Sequence, residues 1–194
     1  MDFLITNENC TILLEVKSQD LSAQARVFPD NKNLKRQLED SIIKATIQAY
    51  STVNKLLSFG EIEGNKIIFP PYLFILTYKD LYLGNGRMIW DEFLKSAIED
   101  EINDMRVNID MIPPEKIVVL SIREFDLLMS CLQKQNSIAE ILNTMIEENT
   151  NNKSMKWTFD QNLAPYTQEL IALNYLDEKF DSTCNRIESL FQKD

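Results

Sequence analysis

The chain contains no histidine among its 194 residues. That absence removes Ser–His and Cys–His nucleophile systems and every histidine metal site, so any catalysis rests on carboxylates, lysine, amides and a hard cation. Cysteine is scarce. Cys10, Cys131 and Cys184 are odd in number and have no CxxC spacing, which argues against a disulfide framework or a cysteine zinc centre. Long hydrophobic runs are missing too: the longest, IIFPPYLFIL at 67–76, is too short to span a bilayer and contains two prolines. No basic n-region or signal-like segment opens the chain, so a soluble, cytoplasmic protein with no membrane partner is expected. Gly84-Asn85-Gly86 lacks the rest of a phosphate-binding loop and reads as a turn.

What is present is an ordinary globular composition, 44% hydrophobic and 26% charged, in a chain long enough to bury a real core. Basic charge is in deficit, with a net charge of −10, unlike the basic face that nucleic-acid binding normally needs. The deficit is not uniform. Residues 1–60 carry seven Lys/Arg and seven Asp/Glu, so all of it falls in 61–194. Either the C-terminal part is simply a solvated acidic surface, or it faces away from any polyanion.

Two short apolar runs, DFLIT (2–6) and CTILLEVK (10–17), flank Asn7-Glu8-Asn9 and read as a β-hairpin. A connection of even length would place Asp2 on the same sheet face as Glu15 and Lys17. From Asn33 to about Leu57, apolar positions recur at helical spacing, with Asn31 or Asn33 as cap and Gly60 as stop. YLFILT (72–77) and IVVLSI (117–122) read as buried strands, each introduced by a Pro-Pro pair. Helices are expected over about 89–101, 123–133, 137–148, 166–180 and 182–192, and EENTNNKS (147–154) is the best linker candidate. This order predicts an α/β layered fold with a mixed sheet flanked by helices. The division is residues 1–150 as an α/β core with its following helices and 151–194 as a C-terminal helical extension.

Asp2, Glu15 and Lys17 form the constellation with chemistry in it. A hairpin can bring the two carboxylates and the ammonium to one end of a sheet. Hard Mg2+ takes oxygen ligands, which two carboxylates, a backbone carbonyl and waters can supply. A nearby ammonium can orient the attacking water and share charge growing on phosphate.

DFLITNENCTILLEVKS resembles the metal-binding motifs of the PD-(D/E)XK, or restriction-endonuclease-like, nuclease superfamily: an Asp in one strand, then an apolar strand ending in Glu15-Val16-Lys17. The resemblance covers roughly residues 1–122 and implies that Asp2, Glu15 and the Val16 carbonyl bind Mg2+ or Mn2+. It further implies that Lys17 positions the water, that Gln48 on the following helix supports the site, and that Lys44, one turn earlier, reaches a phosphate. The implied activity is hydrolysis of DNA phosphodiesters, as a fragment or module of a defence or repair system. Two family features are missing before Asp2, a proline and an acidic-residue-bearing helix. Their absence implies either a larger protein or a late-opened reading frame, and an incomplete core.

Other readings stand beside this one. A nuclease-derived but inactive module would use its acidic C-terminal part to bind a protein partner or to dimerise. A phosphate-ester enzyme of different fold could use the same carboxylates. Tyr78 and Tyr82, in YKDLY, are tempting as a base-stacking patch but are expected to be core or rim packing, and Trp90 and Trp157 are expected in the core.

Overall fold

The computed structural model describes residues 1–18, 20–22, 31–105, 107–132, 137–151, 154–167 and 182–183. Its centre is a four-stranded mixed sheet, built from β1 (Phe3–Thr6), β2 (Thr11–Lys17), β5 (Tyr72–Thr77) and β6 (Ile117–Ser121) in the order β1-β2-β5-β6. β1 is antiparallel to β2, while β2, β5 and β6 are mutually parallel. The β1–β2 register pairs Phe3 with Leu14 and Thr6 with Thr11, so residues 7–10 form an even-length connection. Its turn is held by Asn7, whose side-chain oxygen accepts from the backbone N–H groups of Asn9 and Cys10, both at 2.9 Å.

Alternation along each strand sends side chains into two separate cores. Leu13, Leu73 and Ile75 enter the first. Ile12, Leu14, Tyr72, Phe74, Val118 and Leu120 enter the second. Continuous apolar strands are thus explained, since parallel strands covered on both faces need apolar residues at every position.

The first core is closed by a helical run at residues 31–56, consisting of α1 (Asn31–Leu38), a π-helical stretch Glu39–Ile43 and α2 (Lys44–Leu56). Leu34, Leu38, Ile42, Ala45, Ala49, Val53 and Leu56, the positions of the helical pattern, are all buried. α3 (Gly86–Ile89) and α4 (Lys95–Asp104), joined by π-helical Trp90–Leu94, complete that layer. Asn85-Gly86 turns out to be a helix start rather than only a turn. The Asn85 side chain accepts from Met88 N–H at 3.1 Å, and a Cβ on Gly86 would lie 2.2 Å from the Ile117 carbonyl oxygen. Only glycine lets α3 sit this close to β6.

The second core is covered by α5 (Ile122–Leu132), α6 (Ile138–Thr150) and α7 (Phe159–Thr167). α5 starts directly from β6 through a reciprocal cap. Ser121 N–H donates to Glu124 Oε2 at 2.8 Å, and Glu124 N–H donates to Ser121 Oγ at 3.3 Å.

Several expectations are corrected. The helix placed at 89–101 spans 86–104, because its Asn cap precedes the first apolar residue. A small hairpin of β3 (Glu61–Ile62) and β4 (Asn65–Lys66) is additional, since two-residue strands are too short to show a period. α7 is additional as well; Pro165 inside it masks its pattern. The linker candidate is helical up to Thr150. The chain then turns back on itself, with Lys156 paired to the Glu148 carboxylate and Lys156 N–H donating to Asn149 Oδ1 at 3.1 Å. α7 buries Phe159 and Leu163 in the second core, where the Phe159 ring meets Phe74 edge-on at 6.5 Å. The helices expected over 166–180 and 182–192 lie almost wholly outside the described residues, as does Cys184.

Candidate active site

Lys17, Thr77 and Ser121 are register partners at the carboxyl ends of the three parallel strands. In open α/β sheets this is the end where ligands collect, because the connecting loops diverge there. Glu15 lies on β2 with its side chain on the face of Leu13, toward the first core, and is only 3% exposed. Lys17, two residues on and on the same face, places its Nζ 2.7 Å from Glu15 Oε1. Glu15 Oε2 lies 3.2 Å from the Met1 amino group and has no partner that satisfies hydrogen-bond geometry.

Continuing the β1–β2 register by one residue sets Asp2 opposite Glu15. Asp2 is exposed, and its Oδ2 accepts from Val16 N–H at 2.8 Å. That bond fixes the Asp2 carboxylate at the end of β2 and directs the Val16 polar groups toward the β1 edge, since N–H and C=O of one strand residue share an edge. Asp2 and Lys17 are thus each tied to this end of β2, one through Val16 N–H and the other through Glu15. Among the described residues no group of three or more His, Cys, Asp or Glu is placed to hold a metal. Two carboxylates and a backbone carbonyl are oxygen donors of the hard kind that Mg2+ or Mn2+ takes, and each carboxylate already has a partner, Asp2 on Val16 N–H and Glu15 between Lys17 and the Met1 amino group. The buried Glu15 Oε2, which meets the Met1 amino group at 3.2 Å without hydrogen-bond geometry, is the oxygen placed to meet a cation.

Gln48 and Lys44 both lie on α2. Gln48 is half-buried and its Oε1 is a buried acceptor without a partner. Lys44 is exposed, one turn earlier.

Other buried titratable groups have structural explanations. Burial pushes the Tyr72 phenol up to about 12 at the amino end of β5, where its hydroxyl donates to Asn143 Oδ1 at 2.9 Å. Burial also raises Tyr50, whose hydroxyl bridges the Ile109 and Ile112 carbonyls at 2.8 and 3.0 Å.

Beside the carboxylates, the carboxyl ends of β5 and β6 open into a cavity of about 720 Å3. The reading of Tyr78 and Tyr82 is sharpened here: both lie in its wall and are 66% and 78% exposed, so they are rim residues and not core. Trp90 is buried as expected, whereas Trp157 is 58% exposed, a correction that follows from its position in the turn before α7. Composition could not separate these aromatics, because their burial depends on which helix passes over each strand end.

No family model matches the chain, and no curated protein or solved structure matches it. Among the described residues, no helix is long and apolar enough to cross a membrane.

Proposed function

We propose that this chain is a metal-dependent nuclease domain of PD-(D/E)XK type, with a restriction-endonuclease-like sheet, hydrolysing DNA phosphodiesters. The observation that carries this reading is the buried Glu15 carboxylate, held between the Lys17 ammonium at 2.7 Å and the Met1 amino group at 3.2 Å, at the strand end where Asp2 bonds Val16 N–H. A buried charge is costly unless its partners compensate it, and groups kept so at the open end of a sheet are candidates for chemistry. The hairpin followed by a long helix and two parallel strands also supports the fold that the sequence resemblance implies.

Asp2, Glu15 and the Val16 carbonyl would hold Mg2+ or Mn2+, which when bound neutralises phosphate charge and makes water more acidic. Lys17 orients the water through its ammonium protons and offsets negative charge growing on the phosphoryl oxygens. Glu15 keeps that ammonium in place. On this reading Gln48, whose amide oxygen is buried, would support the site, and Lys44 would contact substrate phosphate from the start of α2.

The test is cleavage of plasmid and linear DNA with Mg2+ or Mn2+. Lys17→Ala and Glu15→Ala are each expected to lower the rate by about 100-fold or more, the scale of losing one preorganised charge. Equal cleavage by wild type and both variants would remove the reading. The net charge of −10 favours one alternative, an inactive module that binds a protein or dimerises. That alternative predicts no metal-dependent cleavage and a stable complex in size-exclusion chromatography.

A further inference from the structure

The cavity beside the candidate site has a composition that metal-dependent hydrolysis does not explain. Its volume of about 720 Å3 falls within the roughly 300–1,000 Å3 typical of small-molecule pockets. Leu21, Leu34, Leu81, Leu83 and Phe93 form an apolar wall. All five belong to or pack on the first core, so the cavity opens on the sheet face that carries Glu15 and Lys17.

It is also close to them along the strand ends. Thr77 is the register partner of Lys17, and Tyr78, the next residue, is already cavity wall. Around it stand the two exposed tyrosines, two cations, Lys79 and Arg123, and one carboxylate, Asp80. Among the described residues each cation is held by a solvent-exposed pair: Lys79 to Asp20 at 2.7 Å and Arg123 to Asp160 at 3.7 Å. Such pairs contribute little and exchange readily for a phosphate. Tyr82 has φ +51, a left-handed conformation uncommon for an aromatic residue.

An apolar slot with aromatic faces and exchangeable cations at its mouth matches an unpaired nucleobase attached to a phosphodiester backbone. We propose that this cavity takes one unpaired base of a single-stranded or frayed DNA substrate, with Tyr78 and Tyr82 stacking on it and Lys79 and Arg123 meeting the flanking phosphates. This rests on the nuclease reading for its substrate but not for its measurement. It accounts for an acidic protein acting on DNA, because stacking then supplies affinity that long-range charge does not.

The test is fluorescence anisotropy on the full chain in Ca2+ in place of Mg2+, so that binding is read without cleavage. A labelled single-stranded oligodeoxynucleotide is compared with its blunt duplex, an abasic strand of the same length, and a deoxynucleoside monophosphate as competitor. The single strand is expected to bind tightest. Tyr78→Ala and Tyr82→Ala should each weaken it by roughly five- to a hundredfold, the loss expected for one base–aromatic stack. Tyr82→Phe should bind like wild type, and exposure of both rings makes the folds safe to alter, as circular dichroism will show.

Duplex or abasic DNA binding as tightly as the single strand, or unchanged affinity in both alanine variants, overturns the proposal. Displacement by the free mononucleotide at the oligonucleotide's own concentration overturns the polymer as ligand. Tyrosine-dependent binding without any Mg2+-dependent cleavage keeps the base pocket and removes the nuclease reading. Cleavage indifferent to both tyrosines does the reverse.

Discussion

Two glutamates are buried at the same end of the sheet, and they are used in opposite ways. Glu124, 7% exposed in the first turn of α5, accepts from Ser121 N–H, Ser121 Oγ and Asp160 N–H. Both of its oxygens are occupied by the protein itself, and it ties α5 and α7 together. Glu15, 3% exposed, has the Lys17 ammonium on one oxygen and the Met1 amino group 3.2 Å from the other, without hydrogen-bond geometry. A carboxylate whose acceptors are all used within the fold is a brace. One held by two ammonium groups, with a single hydrogen bond between them, is the candidate for exchange with another cation.

Substitution separates the two most strongly. Glu124→Ala removes a helix cap and three acceptor contacts from a buried position and should lower unfolding free energy by about 3 kcal/mol, read from urea melts. Glu15→Gln keeps the side chain's size and an oxygen acceptor for Lys17, and should lower it by less, about 1 kcal/mol. A Glu15→Gln loss as large as that of Glu124→Ala would make Glu15 a structural ion-pair residue and erase the contrast.

A metal titration sharpens the same difference at smaller scale. Mg2+ or Mn2+ at about ten times its dissociation constant should stabilise wild type by roughly 1.4 kcal/mol. That corresponds to a rise of about 3–5 °C in melting temperature for a chain of this size. Glu124→Gln should keep the rise and Glu15→Gln should lose it.

The smallest effect concerns pH. Burial raises the Glu124 carboxyl above its ordinary range, Asp80 adds to this, and the hydrogen bonds from Ser121 and Asp160 only partly offset it. A raised folded-state value means that the folded protein holds this proton more firmly than the unfolded chain. The contribution to stability is full below the ordinary glutamate value of about 4.3 and is lost as pH rises through the raised value. Wild type should therefore lose stability relative to Glu124→Gln across that window, and parallel melts at several pH values would refute this if the two curves kept a constant separation.

Legibility in the sequence followed the range of the interaction. The hairpin, the helix carrying Leu34 through Leu56, and the strands YLFILT and IVVLSI were readable because each is set by a local period and a local stop signal. The pair Glu15 and Lys17 was readable because two residues apart in a strand means one face. Asp2 was only conditionally so, since its face depends on the parity of the 7–10 connection. The cap Ser121-Ile122-Arg123-Glu124 has a recognisable S-x-x-E spacing, yet it sits at a strand end inside an apolar run, so periodicity hid it. α7, closed by a proline and lodged against Phe74, has no local signature strong enough to compete with the linker-like residues before it.

By itself the sequence determined which chemistry is open to this protein. Without histidine and with scattered cysteines, its reactive repertoire is carboxylate, lysine and amide, and short-range pattern decides which face of a strand each occupies. Tertiary structure alone decided which acidic residues keep a buried oxygen without a hydrogen bond, Glu15 and Asp80, and that the exposed tyrosines after β5 line a cavity on the face of Glu15. The reason is physical: alternation along a strand is local, whereas hydrogen-bond satisfaction and cavity shape depend on segments far apart in the chain meeting at one strand end.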